Sequence, residues 1–380
     1  MMVFEVRVQK LFDIYCNFLE ANNIIKEQII RINLEDPNYN TIDTYLKLYN
    51  YILEKLLDGE MNYIFIDEVQ LIPEFQKAID GLFIKRNCDV YITGSNAYLL
   101  SGELATLLSG RYVEIKILPL SFKEYRNAFP NQDNLERLYS NYTFNSAFPY
   151  TLALENPKDI RQYLQALYDS IILKDIVFRK QYKNSDILQS VIRFMFDNIG
   201  NMCSTSSIAN TMTSAGRKIS VHTVEDYLTS LCDRFIMYKV NRYDIKGKQY
   251  LKTGNKYYVC DIGLRYSILG TKNIDFGHIL ENVVYLELIR RGYEVYIGKV
   301  GNLECDFICI TEDGEEYYQV AYSVKGEAVG SGGKTTLQRE LAPLEAIKDH
   351  NPKYLLTMDI HNEISHNGIK QINVLDWLLK

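Results

Sequence analysis

Apolar strands that alternate with amphipathic helices over residues 1–130 constrain the fold of this chain most strongly. An apolar stripe at helical spacing starts near Leu11, and a short apolar strand at 29–34 follows it. Continuous apolar runs at 63–66 and 90–93 have the character of buried parallel strands. Strands and helices in this order predict a parallel sheet covered on both faces, with a further strand at 113–117.

Two adjacent carboxylates, Asp67 and Glu68, follow the apolar run at 63–66. A buried parallel strand delivers such residues to the carboxyl edge of its sheet, where ligands bind in open α/β folds. The pattern fits a Walker B motif, in which Asp67 holds Mg²⁺, usually through water, and Glu68 orients the attacking water. The alternative interpretation is that Asp67 and Glu68 belong to an acidic loop without a binding role, because strands often end in acidic loops.

Polar residues also follow the next strand. Thr93-Gly94-Ser95-Asn96 comes about 25 residues later and is expected beside the end of the first strand. Ser109-Gly110-Arg111 then places an arginine before the last predicted strand of the region. Arg111 is interpreted either as a finger that reaches a phosphate in the same or a neighbouring subunit, or as a surface residue.

Short segments along nearly the whole chain resemble those of a family of prokaryotic AAA-type ATPases. They lie at 32–36, 67–70, 93–96, 109–111, 119–122, 174–176, 257–261 and 263–265. The resemblance implies an α/β fold with three domains, namely a P-loop-NTPase-like ATPase domain, a winged-helix-like middle and a restriction-endonuclease-like C-terminal domain. We assign them to residues 1–130, 131–270 and 271–380. The resemblance also implies ATP and Mg²⁺ as cofactors, and it implies that Ser95 or Asn96 senses the γ-phosphate.

The phosphate-binding loop of such an ATPase is missing. A Walker A loop needs glycines whose backbone N–H groups wrap the phosphates, followed by Lys and Ser or Thr. The first glycine here is Gly59, and only Lys10 offers a cation near the first helix. Residues 2–6 are expected to fill the strand that precedes the loop. Either the reading frame is truncated or mis-started, which is the preferred explanation, or the chain is a degenerate relative that has lost ATP hydrolysis.

A second glycine-rich segment at 328–335 fits a loose form of the phosphate-loop pattern. It lies some 260 residues after the Asp67 strand, although the magnesium carboxylate belongs on a neighbouring strand of the same sheet. A second nucleotide site with Asp359 as its carboxylate is conceivable. The preferred interpretation is a flexible Gly/Ser loop.

The middle region has the pattern of three helices followed by two strands, which is typical of a winged helix. Contact with DNA would use basic residues around the third helix and the turn between the strands. Winged helices also dock proteins, and two acidic residues, Glu225 and Asp226, lie in the third helix. The basic residues are Arg217, Lys218, His222, Arg242, Lys246 and Lys248.

Residues 271–380 contain an incomplete nuclease pattern. Glu281 on a helix and Asp306 on a strand match the first acidic positions, but Gln319 and Ala321 stand where a carboxylate and a lysine are needed. Glutamine is a much weaker Mg²⁺ ligand than a carboxylate, and alanine supplies no cation; Lys325 lies four residues too far along. We therefore predict a nuclease-like fold without nuclease activity.

Composition bounds the remaining choices. A formal net charge of −6 argues against a broad surface that coats nucleic acid, although a local basic patch is compatible with it. Seven dispersed cysteines and the lack of a signal-peptide pattern or a membrane-length apolar run predict a cytoplasmic protein without membrane contact. A homo-oligomer or a protein partner is expected only from the resemblance.

The sequence predicts an AAA-family ATP-binding protein whose nucleotide site is incomplete in this chain. The alternative is a non-enzymatic DNA- or protein-binding protein built on degenerate ATPase and nuclease folds. Whether the chain is an enzyme stays open at this stage.

Overall fold

A computed structural model of the chain describes residues 2–94, 110–170, 185–271, 275–325, 335–360 and 364–380. The chain divides into two compact units, Met1–Ile117 and Leu118–Lys380. The first unit alternates helices and strands in the predicted order. Its elements are α1 (Met2–Ala21), β1 (Ile29–Asn33), α2 (Tyr45–Leu53), β2 (Asn62–Asp67), α3 (Phe75–Phe83) and β3 (Cys88–Ile92).

The three strands of the first unit form a parallel sheet in the order β1-β2-β3. This confirms the predicted α/β fold with a parallel sheet. Strand β2 is central and its side chains from Ile64 to Ile66 are fully buried, as a strand covered on both faces requires. Helices α2 and α3 pack on one face of the sheet, where Leu48, Ile52 and Leu82 join the core. Phe12, Cys16 and Leu19 of α1 pack with Phe65 of β2.

Two predicted strands of this unit are wrong. Residues 2–6 are the first turns of helix α1, which runs without interruption from Met2 because no glycine or proline precedes Ala21. Residues 113–117 form no strand with any described part of the chain. Val113 and Ile115 are instead 89% and 72% exposed, because an extended apolar segment becomes a strand only where a neighbour accepts its hydrogen bonds.

The second unit begins with helices and ends with a large sheet. The α-helices that the structure describes before its first strand are α4 (Phe122–Ala128), α5 (Leu135–Phe144), α6 (Pro157–Ser170), α7 (Ser185–Asp197), α8 (Thr205–Ser214) and α9 (Val221–Asp233). Their starts follow the sequence, since Ser121, Ser204 and Ser220 cap α4, α8 and α9 by accepting backbone N–H bonds. The predicted segment at 174–176 lies outside the described residues.

An eight-stranded mixed sheet forms the core of the second unit in the order β10-β11-β9-β8-β7-β6-β4-β5. Its strands are β4 (Met237–Asp244), β5 (Gln249–Val259), β6 (Glu294–Val300), β7 (Leu303–Thr311), β8 (Gly314–Ala321), β9 (Lys353–Thr357), β10 (Ile364–His366) and β11 (Ile369–Asn373). The accompanying helices are α10 (Ile262–Leu269), α11 (Phe276–Arg290), α12 (Thr336–Ala346) and α13 (Val374–Leu378).

The β4–β5 hairpin belongs to the same sheet as the C-terminal strands, because β4 pairs in parallel with β6. The two strands expected as the wing of the middle region are therefore continuous with the sheet of residues 271–380. Among the described helices, none combines the length and the apolar character needed to cross a bilayer.

Candidate functional site

Asp67 and Glu68 lie at the carboxyl end of the central strand β2. Asp67 is the last residue of the strand and pairs in register with Asn33 of β1. Both side chains are almost completely buried, at 5% and 3% exposure. Charged groups are buried this deeply only when other groups satisfy them, so their surroundings decide what they can bind.

Protein groups already contact both oxygens of the Asp67 carboxylate. The Thr93 hydroxyl donates to Oδ1, and the Gln9 amide of α1 donates to Oδ2 over 3.1 Å. The same Thr93 oxygen accepts the backbone N–H of Glu68 at 3.2 Å. Thr93 thus fixes the ends of β2 and β3 together at the carboxyl edge of the sheet.

Glu68 makes a sharp turn out of the strand. Its backbone is left-handed, with φ 56° and ψ 43°, a conformation that costs a residue with a Cβ atom about 1 kcal/mol. Its carboxylate accepts a hydrogen bond from the Gln70 side-chain amide. A strained backbone that aims a buried acid at a sheet edge is a feature typical of functional sites.

The other predicted site residues are placed less centrally or not described. Ser95 and Asn96 lie outside the described residues. The Arg111 guanidinium forms an ion pair with Asp80 of α3 at 3.0 Å and stacks over Phe83, with Cζ 5.4 Å from the ring centroid. Arg111 is about half exposed in this arrangement, and no described contact joins it to Asp67 or Glu68.

The donors present suit Mg²⁺ better than they suit phosphate. Carboxylate and hydroxyl oxygens are the ligands that Mg²⁺ prefers, and Asp67, Glu68 and Thr93 bring them to one edge. A phosphate cradle needs successive backbone N–H groups that point outward. Before β1 the described chain forms α1 and a short 3-10 helix at Lys26–Gln28, and Lys10 is an exposed residue on α1.

A second cluster of charged groups lies in the larger unit. The Lys256 ammonium of β5 is 2.8 Å from Glu281 Oε1, 2.8 Å from Glu304 Oε1 and 3.8 Å from Asp306 Oδ1. The Tyr258 hydroxyl donates to the same Glu281 oxygen at 2.5 Å. Lys256, Glu281 and Asp306 are each at most 9% exposed.

The charges of this cluster perturb one another. Burial by itself would lower the pKa of Lys256, but Glu281, Asp306 and Glu304 together raise the pKa, so the side chain is an ammonium ion. Burial, with repulsion from Glu281, raises the pKa of Asp306 well above its ordinary value. Lys256 opposes the rise in the pKa of Asp306, because a nearby cation favours the charged carboxylate.

Three residues of the predicted nuclease pattern, Glu281, Asp306 and Gln319, lie in or beside this cluster. Gln319 accepts the backbone N–H of Asp306 at 3.3 Å and donates to Glu340 at 3.1 Å. Lys325 is exposed and donates to the Ile360 carbonyl at 3.1 Å. Within the described residues, no group of three or more His, Cys, Asp or Glu side chains has the arrangement of a metal site.

Sequence reasoning missed Gln9 and Lys256. Gln9 precedes the predicted helix and carries no pattern that points to Asp67, 58 residues away. Lys256 is predicted only as the first residue of a strand at 256–260. The one signal in the sequence is that this lysine directly precedes the apolar residues of the strand, because a buried strand tolerates a cation only beside anions.

Comparisons with known proteins show which families and proteins the chain is similar to. Residues 14–126 match the family model described as AAA domain, and residues 136–275 match a domain of unknown function (DUF8612). An uncharacterized protein of Haemophilus influenzae is 41% identical over 371 residues, which cover 96% of this chain and 90% of that protein. Uncharacterized protein MJ1544 of Methanocaldococcus jannaschii is 29% identical over 355 residues, with 88% and 76% covered.

Among solved structures, the Walker-type ATPase PABY2304 of Pyrococcus abyssi aligns with a TM-score of 0.39 and 14% identity. The alignment covers 59% of this chain and 66% of that one, so the chain spans slightly less than two thirds of it. The family-model match shows an AAA-type ATPase-like domain at residues 14–126, and the chain belongs to the same protein family as the uncharacterized protein of Haemophilus influenzae.

Proposed function

We propose that this chain is an AAA-family ATP-binding protein in which Asp67 holds Mg²⁺ and Glu68 orients the water that attacks the γ-phosphate. The observation that carries the proposal is the position of the two carboxylates at the end of the central parallel strand, in a domain that matches the AAA model. That edge is where ligands bind in open α/β sheets.

The roles of the other residues follow from this assignment. Thr93 holds Asp67 and the Glu68 backbone in place, and Ser95 or Asn96 senses the γ-phosphate. Arg111 acts as a finger on the nucleotide of the same or a neighbouring copy, for which it exchanges its surface partner Asp80. When bound, Mg²⁺ neutralises the charge that develops on the phosphate oxygens.

Titration of the full chain with a fluorescent ATP analogue, in Mg²⁺ and in EDTA, tests the proposal. Saturable binding that requires Mg²⁺ and is lost in Asp67→Ala is expected. Asp58→Ala is the matched control, because Asp58 is an exposed carboxylate of the same unit. Glu68→Gln should keep binding and lose any hydrolysis. No saturable binding at millimolar analogue would contradict the proposal.

The second candidate function is non-enzymatic binding of DNA or protein by two degenerate enzyme folds. It is supported by the contact of the Gln9 amide with Asp67 Oδ2, which occupies an oxygen that Mg²⁺ would use. Exposed basic residues also flank α9 of a winged-helix-like arrangement: Arg217 and Lys218 precede the helix, and Lys246 and Lys248 lie at the β4–β5 turn.

Salt-dependent binding to duplex DNA separates the two candidates. If the winged-helix-like segment binds DNA, replacing Arg217 and Lys218 by alanine lowers the affinity and reduces the salt slope by about 2. The matched control replaces Lys85 and Arg86, an adjacent exposed basic pair in the first unit. Equal effects of the two double variants would indicate non-specific attraction only.

A further inference from the structure

The second unit contains a buried ion cluster that the ATP-binding proposal does not use. Four elements contribute to it: β5 through Lys256 and Tyr258, α11 through Glu281, β7 through Glu304 and Asp306, and β8 through the backbone of Val320. The cluster therefore ties a helix to three strands of the eight-stranded sheet.

Three carboxyl groups surround the Lys256 ammonium. Glu281, Glu304 and Asp306 come from different places in the sequence, and one oxygen of each turns toward the same nitrogen at 2.8, 2.8 and 3.8 Å. The other Asp306 oxygen accepts the Val320 backbone N–H at 2.8 Å. Only Glu304, with a side chain 34% exposed, opens the cluster toward solvent.

We propose that the Lys256 ammonium is the resident cation of this cluster and excludes divalent metal ions from it. The ammonium carries its charge on the chain itself, so the carboxylates stay neutralised without a bound metal. A metal ion at the same point would require the ammonium to leave a site in which its side chain is 5% exposed and contacts three carboxyl groups.

The proposal also accounts for the positions that break the nuclease pattern. Gln319 and Ala321 stand where a metal-dependent site would use a carboxylate and a lysine, and neither is needed when the cation is internal. Gln319 uses its amide to join the Asp306 backbone to Glu340, which is a positioning contact. Lys256 is thus a structural substitute for the metal, and no hydrolytic step is assigned to it.

Replacing Lys256 by a small or a long neutral residue tests this directly. Lys256→Ala leaves a space among the carboxylates, whereas Lys256→Met fills it without charge. Both variants should lower the Tm of the second unit, by about 10 °C, because the buried acidic cluster loses its counter-ion. Buried Trp377, the only tryptophan of the chain, reports this transition by its fluorescence.

Addition of about 1 mM Mn²⁺ then distinguishes the two variants. Mn²⁺ should restore at least half of the lost Tm in Lys256→Ala, little in Lys256→Met, and none in Lys256→Ala combined with Asp306→Asn. Lys239→Ala on the adjacent strand β4 is the control, since Lys239 is exposed. An unchanged Tm in Lys256→Ala, or equal rescue of Ala and Met variants, would overturn the proposal.

The wild-type chain supplies a second measurement that does not depend on how the variants fold. Calorimetric titration with Mn²⁺ should give the same binding for wild type and Asp306→Asn, because Lys256 keeps the metal away from Asp306. Saturable Mn²⁺ binding to the wild type that disappears in Asp306→Asn would show that the cluster accepts a metal with Lys256 present, and the proposal would be wrong.

Discussion

Asp67 and Thr93 are 26 residues apart and share a hydrogen bond at the carboxyl edge of the sheet. The threonine oxygen also accepts the Glu68 N–H, so one hydroxyl orders both acidic residues. Parallel pairing of β2 and β3 creates this contact, because it brings the ends of the two strands to the same edge. Positioning of the proposed Mg²⁺ ligand therefore depends on Thr93.

Thr93→Val should remove the hydroxyl that contacts Asp67 and the Glu68 N–H, while it preserves the shape of the side chain. We expect a loss of about 1.5–3 kcal/mol in the free energy of unfolding of the first unit, because a buried carboxylate loses a donor. Affinity for the Mg²⁺-bound ATP analogue should fall in parallel. Calorimetric unfolding and analogue titration measure the two effects. Thr93→Ser keeps the hydroxyl and should retain both properties; equal losses in Ser and Val would argue against the hydroxyl.

Gln9→Ala tests whether helix α1 competes with the metal. The Gln9 amide donates to Asp67 Oδ2, an oxygen that Mg²⁺ would otherwise use. Its removal should raise the apparent Mg²⁺ affinity, measured at a fixed concentration of ATP analogue, by about fivefold, which corresponds to one hydrogen bond of about 1 kcal/mol. Gln9→Glu should act further in this direction by adding a ligand oxygen. Weaker Mg²⁺ binding in Gln9→Ala would mean that the amide supports the site.

Arg111 and Asp80 allow the two interpretations of the arginine to be separated. The pair is exposed, so breaking it from either side should change the free energy of unfolding by less than about 1 kcal/mol. If Arg111 acts on a nucleotide, Arg111→Ala lowers ATP turnover at least 100-fold, whereas Asp80→Asn leaves turnover unchanged. Steady-state phosphate release measures this. Equal turnover in both variants would identify Arg111 as a surface residue.

The acidic pair and its strand could be predicted because the signal is local. Four apolar residues followed by Asp67 and Glu68 define both the burial of β2 and the edge at which it ends. The strand at 113–117 could not be judged in the same way. Its composition is that of a strand, but pairing depends on a neighbouring strand that accepts its hydrogen bonds, and periodicity does not report such a neighbour.

The partners of the buried charged residues could not be predicted from local sequence patterns either, because they are far from these residues in the sequence. Gln9 meets Asp67, and Lys256 meets Glu281 and Asp306, only after helices and strands have packed. Glu281 and Asp306 could be predicted because they match the acidic positions of a metal-binding pattern. Lys256 could not, because a lysine in a strand is usually exposed, and only the surrounding acidic groups make its burial stable.

Asp261 gives the second unit a pH dependence. Its carboxylate is buried at the start of α10 and accepts the N–H groups of Leu264 and Ala147, each at 2.7 Å. Burial outweighs these bonds and raises its pKa to about 6. The folded state thus holds the proton more tightly than the unfolded chain, in which the pKa is near 3.8.

The sign of the effect follows from this difference. Between about pH 4 and pH 6 the folded state binds more protons, so the contribution of Asp261 to stability is full below pH 4 and is lost as the pH rises through 6. The loss amounts to at most about 3 kcal/mol. Asp261→Asn stays neutral at every pH, so the stability of the wild type relative to this variant should fall from pH 4 to pH 6 and level off above pH 7. Urea unfolding followed by Trp377 fluorescence measures the difference, and a difference that rises with pH would show that the carboxylate is more stable charged than neutral in the folded unit.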